Sequence, residues 1–126
     1  MSKLSGKTVL IIEDELNIIE AISFILSRDG STVHTHSNGQ TAIEAVAERA
    51  PDLIVLDVML PGRSGYDILK DLRSAEATAK TPVLMLTARG QMKDREMALE
   101  FGANKFMTKP FSNSEVLDAV RELAAS

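Results

Sequence analysis

The chain has 126 residues, of which 44% are hydrophobic and 25% are charged, and its formal net charge is −4. This length and composition fit one globular domain, so we expect a single domain over residues 1–126, with its core at about 7–124 and residues 1–6 frayed. The absence of cysteine excludes disulfides and thiolate metal sites. The negative charge disfavours direct nucleic-acid binding, and no apolar run has the roughly 20 residues that cross a bilayer, so we expect a cytoplasmic protein.

The first half of the chain predicts two strands and two helices in alternation. A strand is expected at Thr8–Ile12, a helix at Glu15–Arg28, a weaker strand at Ser31–Thr35 and a second helix at Asn38–Ala50. Helical spacing places eight apolar residues on the inner faces of these helices, namely Leu16, Ile19, Ile22, Leu26, Ala42, Ile43, Val46 and Ala50. Gly30 lies where a helix end needs a residue with left-handed backbone.

The second half continues this alternation. Strands are predicted at Leu53–Asp57, Pro82–Thr87 and Lys105–Thr108, and helices at Ser64–Arg73, Gln91–Phe101 and Ser114–Ala124. The segments LIVL and VLML, like VLII in the first strand, are continuously apolar, which is typical of parallel strands buried on both faces. The segment Gln91–Phe101 has the thinnest apolar stripe, so it is the helix most easily repositioned. Five strand–helix repeats predict an α/β fold, a parallel sheet with helices on both faces.

Ionisable and polar residues follow four of the five predicted strands. They are Glu13 and Asp14 after the first strand, Asp57 at the end of the third, Thr87 at the end of the fourth and Lys109 after the fifth. In an open parallel sheet, ligands bind beyond the carboxyl ends of the strands. Each residue alone has an ordinary structural role, such as a helix cap for Asp57 or a solvated surface charge for Lys109. Their joint occurrence at one sheet edge favours a functional site.

Three carboxylates that converge at this edge need compensating positive charge. At about 4 Å and an effective dielectric of about 20, each like-charged pair costs on the order of 4 kcal/mol. Lys109 supplies one positive charge, and carboxylate oxygens without His or Cys favour Mg²⁺, or Mn²⁺, as the second. Beside such a cation Asp57 can act as a nucleophile toward phosphorus, with Lys109 and Thr87 contacting the phosphoryl oxygens.

Four motifs then identify a family. They are VLIIEDE at 9–15, LIVLDVMLPGRSG at 53–65, VLMLTARG at 83–90 and GANKFMTKPF at 102–111. With them the chain resembles the receiver domain of bacterial response regulators from about Lys7 to Leu123, with motifs closest to the receivers of winged-helix transcription factors. The resemblance implies a flavodoxin-like receiver fold, in which a five-stranded parallel sheet of order 2-1-3-4-5 carries five helices on its two faces.

The resemblance also implies a metal and phosphoryl site. Asp57 resembles the phosphoacceptor, and Asp14 resembles the acid that binds Mg²⁺ (or Mn²⁺) directly. Glu13 resembles the neighbour that holds the metal through water, although Asp is more frequent at this position. The main-chain carbonyl of Met59 matches the remaining protein ligand.

Four further positions match characteristic residues of the family. Thr87 resembles the switch hydroxyl, and Lys109 resembles the lysine that contacts the phosphoryl group. Phe106 resembles the rotating aromatic residue, which is otherwise often Tyr. Pro110 matches the proline of a cis Lys-Pro bond.

The implied function is a signalling switch rather than an enzyme. The implied phosphoryl donor is a histidine kinase or a histidine phosphotransfer protein. The surface of the fourth helix, fifth strand and fifth helix then changes to regulate a downstream effector protein or an effector domain outside this segment. The chain is expected to be a monomer or a phosphorylation-dependent homodimer, without membrane contact.

Some residues depart from the resembled class. Acidic residues are usual where this chain has Asn104 and Lys105, and a basic residue is usual at Ala119, so the charge-paired dimer of that class is not favoured. Arg89 and Met59 flank the acceptor and offer no amide or acid to orient a hydrolytic water, which predicts slow self-dephosphorylation.

Two other classes of protein share this kind of sheet. A dehalogenase-like aspartyl-phosphate phosphatase or phosphotransferase carries a second acid two residues after its nucleophile, where this chain has Met59. A flavodoxin-like flavin carrier needs a hydroxyl-rich phosphate loop after the first strand, where Glu13, Asp14 and Glu15 would repel a phosphate.

Overall fold

The computed structural model describes residues 4–88 and 92–125, and the side chains of residues 92–94 lie outside that description. Five parallel strands form one sheet in the order β2-β1-β3-β4-β5. The strands are β1 (Thr8–Ile12), β2 (Thr32–His36), β3 (Leu53–Asp57), β4 (Val83–Thr87) and β5 (Lys105–Thr108). The predicted α/β fold and strand order are confirmed.

Five α-helices connect or follow the strands. They are α1 (Leu16–Arg28), α2 (Ala42–Arg49), α3 (Gly65–Ser74), α4 (Met92–Glu100) and α5 (Asn113–Ala125), with a short 3₁₀ turn at Gly39–Thr41 before α2. In the part of the chain that the structure describes, none of the helices is both long and apolar enough to span a bilayer.

The core consists of two hydrophobic clusters on opposite faces of the sheet. Every residue of β3 and β4 is buried, and alternate residues point to opposite faces. Ile54 and Leu56 of β3 join the cluster covered by α2, α3 and α4, whereas Leu53 and Val55 join the cluster covered by α1 and α5. This burial on both faces explains the continuously apolar strand sequences.

Local sequence signals account for several element boundaries. Ser64 caps α3 by accepting a hydrogen bond of 3.3 Å from the Asp67 amide. Ser112 and Glu115 form a reciprocal capping box at the start of α5, with each side chain accepting from the other residue's amide at 3.1 and 3.0 Å. Gly30 has a φ of 101°, as the predicted helix end required.

Three sequence-based expectations about packing were wrong. Leu16 was assigned to the inner face of the first helix but is 65% exposed, because it begins α1 beyond the end of β1. Ala50 was assigned to the inner face of the second helix, yet it ends α2 with a left-handed φ of 44° and is exposed. Leu4, in the segment expected to fray, is fully buried in the α1–α5 cluster, so the core begins before residue 7.

Few of the described side chains of helix α4 are buried. Among its described side chains, residues 95–100, Ala98 is the buried one, Met97 is half-buried and Leu99 is 45% exposed. The expectation that the segment Gln91–Phe101 buries little is confirmed for residues 95–100, whereas the burial of residues 91–94 lies outside the described part of the chain. Such a helix can change its position at a smaller cost in packing than its neighbours.

Candidate acidic phosphoacceptor site

The candidate site lies at the carboxyl edge of the sheet. Asp57 ends β3 and is paired in register with Leu86 of β4, so Thr87 lies one residue further along the neighbouring strand. Glu13 and Asp14 follow β1 directly on the other side of β3. The topology therefore brings together the polar residues that the sequence places after these strands.

Three carboxylates converge at this edge. Glu13, Asp14 and Asp57 each offer an oxygen atom, and these atoms lie within 4.8 Å of one another. Glu13 is fully buried and Asp57 is 1% exposed, whereas Asp14 is exposed to solvent. Two of the three charges are thus removed from water, which makes their mutual repulsion larger than it would be at the surface.

Lys109 supplies positive charge to the cluster. Its ammonium nitrogen lies 2.8 Å from Glu13 Oε1, 3.0 Å from Glu15 Oε1 and 3.3 Å from Asp57 Oδ2. The Lys109 side chain is only 11% exposed, so one largely buried ammonium is shared by three carboxylates. Asp57 has the longest of these three contacts.

Glu13 is held by the backbone that follows it. Its Oε2 atom accepts hydrogen bonds from the amides of Asp14 at 2.9 Å and Glu15 at 3.1 Å. Its own amide donates to the carbonyl of His36 in β2 at 3.0 Å. These contacts fix the Glu13 carboxylate and the start of α1 together.

The carboxylates of the site have displaced pKa values. Burial, and next the adjacent Glu13 carboxylate, raises the pKa of Asp57 from 3.8 to about 7, although Lys109 acts in the opposite direction. Burial would also raise the pKa of Glu13, but its contacts with Lys109, Asp57 and the Glu15 amide outweigh burial and hold this pKa below its ordinary value. The pKa of Lys109 is raised, because its carboxylate partners outweigh the effect of burial.

Gly65 allows α3 to begin against the acceptor strand. A Cβ atom at this position would lie 2.2 Å from the main-chain oxygen of Asp57, which is far inside van der Waals contact. The Gly65 amide also donates to the Val58 carbonyl at 2.8 Å, closing the loop that contains Met59. A residue with a side chain here would displace the backbone that carries Asp57.

The predicted switch residues lie on β4 and β5. Thr87 is 5% exposed at the end of β4. Phe106 is half-buried in β5 and packs against the cluster covered by α2, α3 and α4. The Lys109 amide donates to the Thr87 carbonyl at 2.7 Å, and the peptide bond between Lys109 and Pro110 is cis. Arg89, expected to flank the acceptor, lies outside the described residues.

The donor set fits a hard divalent cation. Asp57 Oδ1 is buried and has no hydrogen-bond partner among the described residues, so its lone pairs are available to a ligand. Glu13 Oε1 lies near Lys109 but likewise makes no aligned hydrogen bond there. Buried and exposed carboxylate oxygens without nitrogen or sulfur ligands are suited to Mg²⁺.

One contact of the site was missed by sequence reasoning. Glu15 was considered only as part of an acidic run, yet its carboxylate hydrogen-bonds the Lys109 ammonium at 3.0 Å. The two residues are 94 positions apart in the chain, and no local pattern connects them.

Known proteins are similar to this chain in sequence and in fold. A family model described as response regulator receiver domain matches residues 9–121. The chain is 42% identical over 112 residues to the phosphate regulon transcriptional regulatory protein PhoB of Pseudomonas aeruginosa, covering 89% of this chain and 49% of that protein. The chain thus spans about half the length of the curated relatives it matches.

Two solved structures extend the comparison. The BeF₃-activated N-terminal receiver domain of RstA from Klebsiella pneumoniae is 27% identical with a TM-score of 0.87, and the match covers 94% of this chain and 99% of that one. The receiver domain of a sensor histidine kinase from Pseudomonas aeruginosa is 28% identical with a TM-score of 0.87, with 97% and 100% covered. That domain has a magnesium ion coordinated in its active-site cleft.

Proposed function

The chain belongs to the response regulator receiver family, and from this membership we propose that it is a phosphorylation-dependent switch with Asp57 as the phosphoacceptor. The observation that carries the proposal is the state of Asp57. Its carboxylate is buried at the sheet edge, one oxygen has no hydrogen-bond partner among the described residues, and the other lies 3.3 Å from the Lys109 ammonium. A nucleophile and a cation are thus already adjacent.

Phosphoryl transfer to Asp57 can be written with the groups present. A carboxylate oxygen of Asp57 forms a bond to phosphorus while the bond from phosphorus to the donor's imidazole nitrogen breaks, and the imidazole leaves with its electron pair. Asp57 must be ionised to attack, and the Lys109 ammonium favours that form. Lys109 and the Thr87 hydroxyl would then contact the equatorial phosphoryl oxygens, whose charge must be neutralised during in-line transfer.

A divalent cation fits the same site. Asp14, Asp57 and the Met59 main-chain carbonyl would bind Mg²⁺ or Mn²⁺, with Glu13 contributing through a water molecule. The bound cation would neutralise phosphoryl oxygen charge. The structure gives the convergence of the three carboxylates, which is the part of this assignment that rests on distance.

The phosphoryl donor is proposed to be a protein that carries a phosphohistidine, either a histidine kinase or a phosphotransfer protein. Apolar side chains next to the acidic cluster support a protein partner, since Leu16 is 65% exposed and Met59 is 71% exposed. Transfer from such a protein should be faster than transfer from acetyl phosphate at equal concentration, and equal rates would argue against a docking surface.

The response is proposed to pass from Thr87 to Phe106. Once Asp57 is phosphorylated, the Thr87 hydroxyl moves toward the phosphoryl group and Phe106 turns into the vacated space, which shifts α4 and β5. The output is regulation of a downstream effector protein or effector domain. In NMR spectra, phosphorylation should move the amide signals of β5 in the wild type and leave them largely unmoved in Thr87→Ala.

Intact mass spectrometry tests the acceptor. After incubation with acetyl phosphate and Mg²⁺, the wild type should gain the mass of one phosphoryl group, and Asp57→Ala should not. The adduct should be labile to hydroxylamine, as an acyl phosphate is, and should decay slowly because Met59 offers no group that orients water. An unmodified wild-type protein, or a phosphorylated Asp57→Ala variant, would refute the assignment.

A further inference from the structure

The Glu15 side chain does not cap the helix that it precedes. It is the N-cap of α1, with φ −79° and ψ 113°, but its side chain makes no capping hydrogen bond. An N-cap side chain ordinarily accepts from an amide in the first turn of its own helix. The Glu15 carboxylate instead accepts from the Lys109 ammonium at 3.0 Å. Its side chain is therefore directed to the acceptor site rather than to α1.

Glu15 also differs from the other carboxylates that contact Lys109. Glu13 and Asp57 are buried, so neither can leave the ammonium for solvent without moving the backbone. The Glu15 side chain is 58% exposed and can turn outward freely. It nevertheless lies closer to the ammonium than Asp57 does, at 3.0 Å compared with 3.3 Å.

We propose that Glu15 is a positioning residue that holds the Lys109 ammonium toward the solvent-exposed side of the site, away from Asp57. Glu15 must release the ammonium when a phosphoryl group arrives. The inference rests on the proposed role of Asp57 as acceptor. Lys109 carries one positive charge, and a phosphoryl group on Asp57 would compete for it with Glu15. Glu15 therefore restrains phosphorylation, and it returns to the ammonium when the acyl phosphate is lost.

A kinetic comparison tests this restraint. In the full-length chain with Mg²⁺ and acetyl phosphate, Glu15→Gln should be phosphorylated about two- to fivefold faster than the wild type, the range expected for loss of one exposed ion pair. Glu20→Gln is the matched control. Glu20 is exposed on α1, the helix that Glu15 precedes, and its substitution makes the same change in net charge. Its rate should equal that of the wild type.

Glu15→Asp separates the contact from the charge. This variant keeps the negative charge at the mouth of the site but shortens the side chain by one methylene group, which takes the carboxylate away from Lys109. It should be phosphorylated at the rate of Glu15→Gln. If it behaves as the wild type does, or if Glu20→Gln is accelerated equally, the effect belongs to general charge repulsion and the inference is wrong.

A structural readout is independent of phosphorylation. Glu15→Ala removes the acceptor altogether, whereas a glutamine would keep a neutral amide oxygen within reach of Lys109. In crystals of metal-free Glu15→Ala protein, the Lys109 ammonium should move closer to Asp57 than 3.3 Å, and in Glu20→Ala it should not. An unchanged Lys109 position in Glu15→Ala would overturn the inference. If the wild type is never phosphorylated, the proposed function fails; if the wild type and Glu15→Gln are phosphorylated equally fast, the positioning role alone fails.

Discussion

The end of β3 and helix α4 are held in contrasting ways. At the end of β3, Asp57 is 1% exposed, and Gly65 packs so closely that no side chain fits beside the Asp57 backbone. In the described side chains of α4, residues 95–100, Ala98 is the buried anchor. The proposed chemistry therefore depends on backbone with little freedom to move. The proposed response depends on a helix whose displacement costs little packing energy.

Neutralising the acceptor should give the largest effect on stability. Asp57 has a pKa of about 7 in the folded protein against 3.8 unfolded, so the unfolded chain loses its proton first and stability falls as pH rises between these values. Above pH 7 the loss of folding stability is complete. Its upper limit is roughly 4 kcal/mol, because a pKa difference of one corresponds to about 1.4 kcal/mol. Without divalent cations, Asp57→Asn should therefore be more stable than the wild type.

Urea unfolding across pH checks this prediction. The stability difference should be largest at pH 8, shrink steadily toward pH 4 and decrease at pH 8 when Mg²⁺ is added to the wild type. A stability difference that does not depend on pH would mean that the charge of Asp57 does not destabilise the folded protein.

Adding a methyl group beside the acceptor backbone should give the next largest effect. Gly65→Ala places a Cβ 2.2 Å from the Asp57 main-chain oxygen, and because the obstacle is backbone, no rotamer change relieves it. We expect a loss of about 3 kcal/mol, at the upper end for overpacking. Gly6→Ala is the comparison, since a Cβ at Gly6 would meet nothing within 4 Å. That variant should lose only about 1 kcal/mol of stability, the cost of a left-handed φ of 78° for a residue with a side chain.

Denaturant unfolding of both variants provides the measurement. Equal losses in the two variants would indicate that the backbone at the end of β3 yields more easily than its packing suggests. The contrast with α4 would then be smaller than the structure implies.

Hydrogen exchange sharpens the comparison with the smallest expected effect. Helix α3 buries Ile68, Leu69 and Leu72. The opening that exposes its amides should therefore cost more free energy than the opening that exposes the amides of residues 96–100 in α4. We expect α4 to exchange at least about tenfold faster after correction for intrinsic rates, which corresponds to about 1.4 kcal/mol. The exchange can be monitored by NMR or mass spectrometry. Equal protection of α3 and α4 would contradict the idea that α4 is loosely held.

The fold follows from the sequence because its signals are local. Continuous apolar runs mark β3 and β4, and strand polarity then determines which edge receives Asp57 and Thr87. One contact of the site could not be predicted in this way. The hydrogen bond from Lys109 to Glu15 joins residues 94 positions apart, so it depends on the assembled sheet.

Arg73 illustrates the same limit in another part of the molecule. Its guanidinium donates to the carbonyls of Gly102 at 2.9 Å and Thr78 at 3.0 Å, and to the Asn104 side chain at 2.9 Å. These acceptors come from two segments, the loop after α3 and the loop between α4 and β5, and nothing in the surrounding sequence distinguishes Arg73 from an exposed helix residue. Contacts of this kind arise only from tertiary geometry.

The two-sided core has a consequence for how such a domain diversifies. Ala98 of α4 packs on one face of the sheet, whereas Ile22 and Leu26 of α1 pack on the other. The sheet lies between these two helices, so a substitution in α4 can alter the proposed effector surface without contacting the helix beside the acidic cluster. The proposed effector surface and the proposed donor surface can therefore diverge independently during evolution.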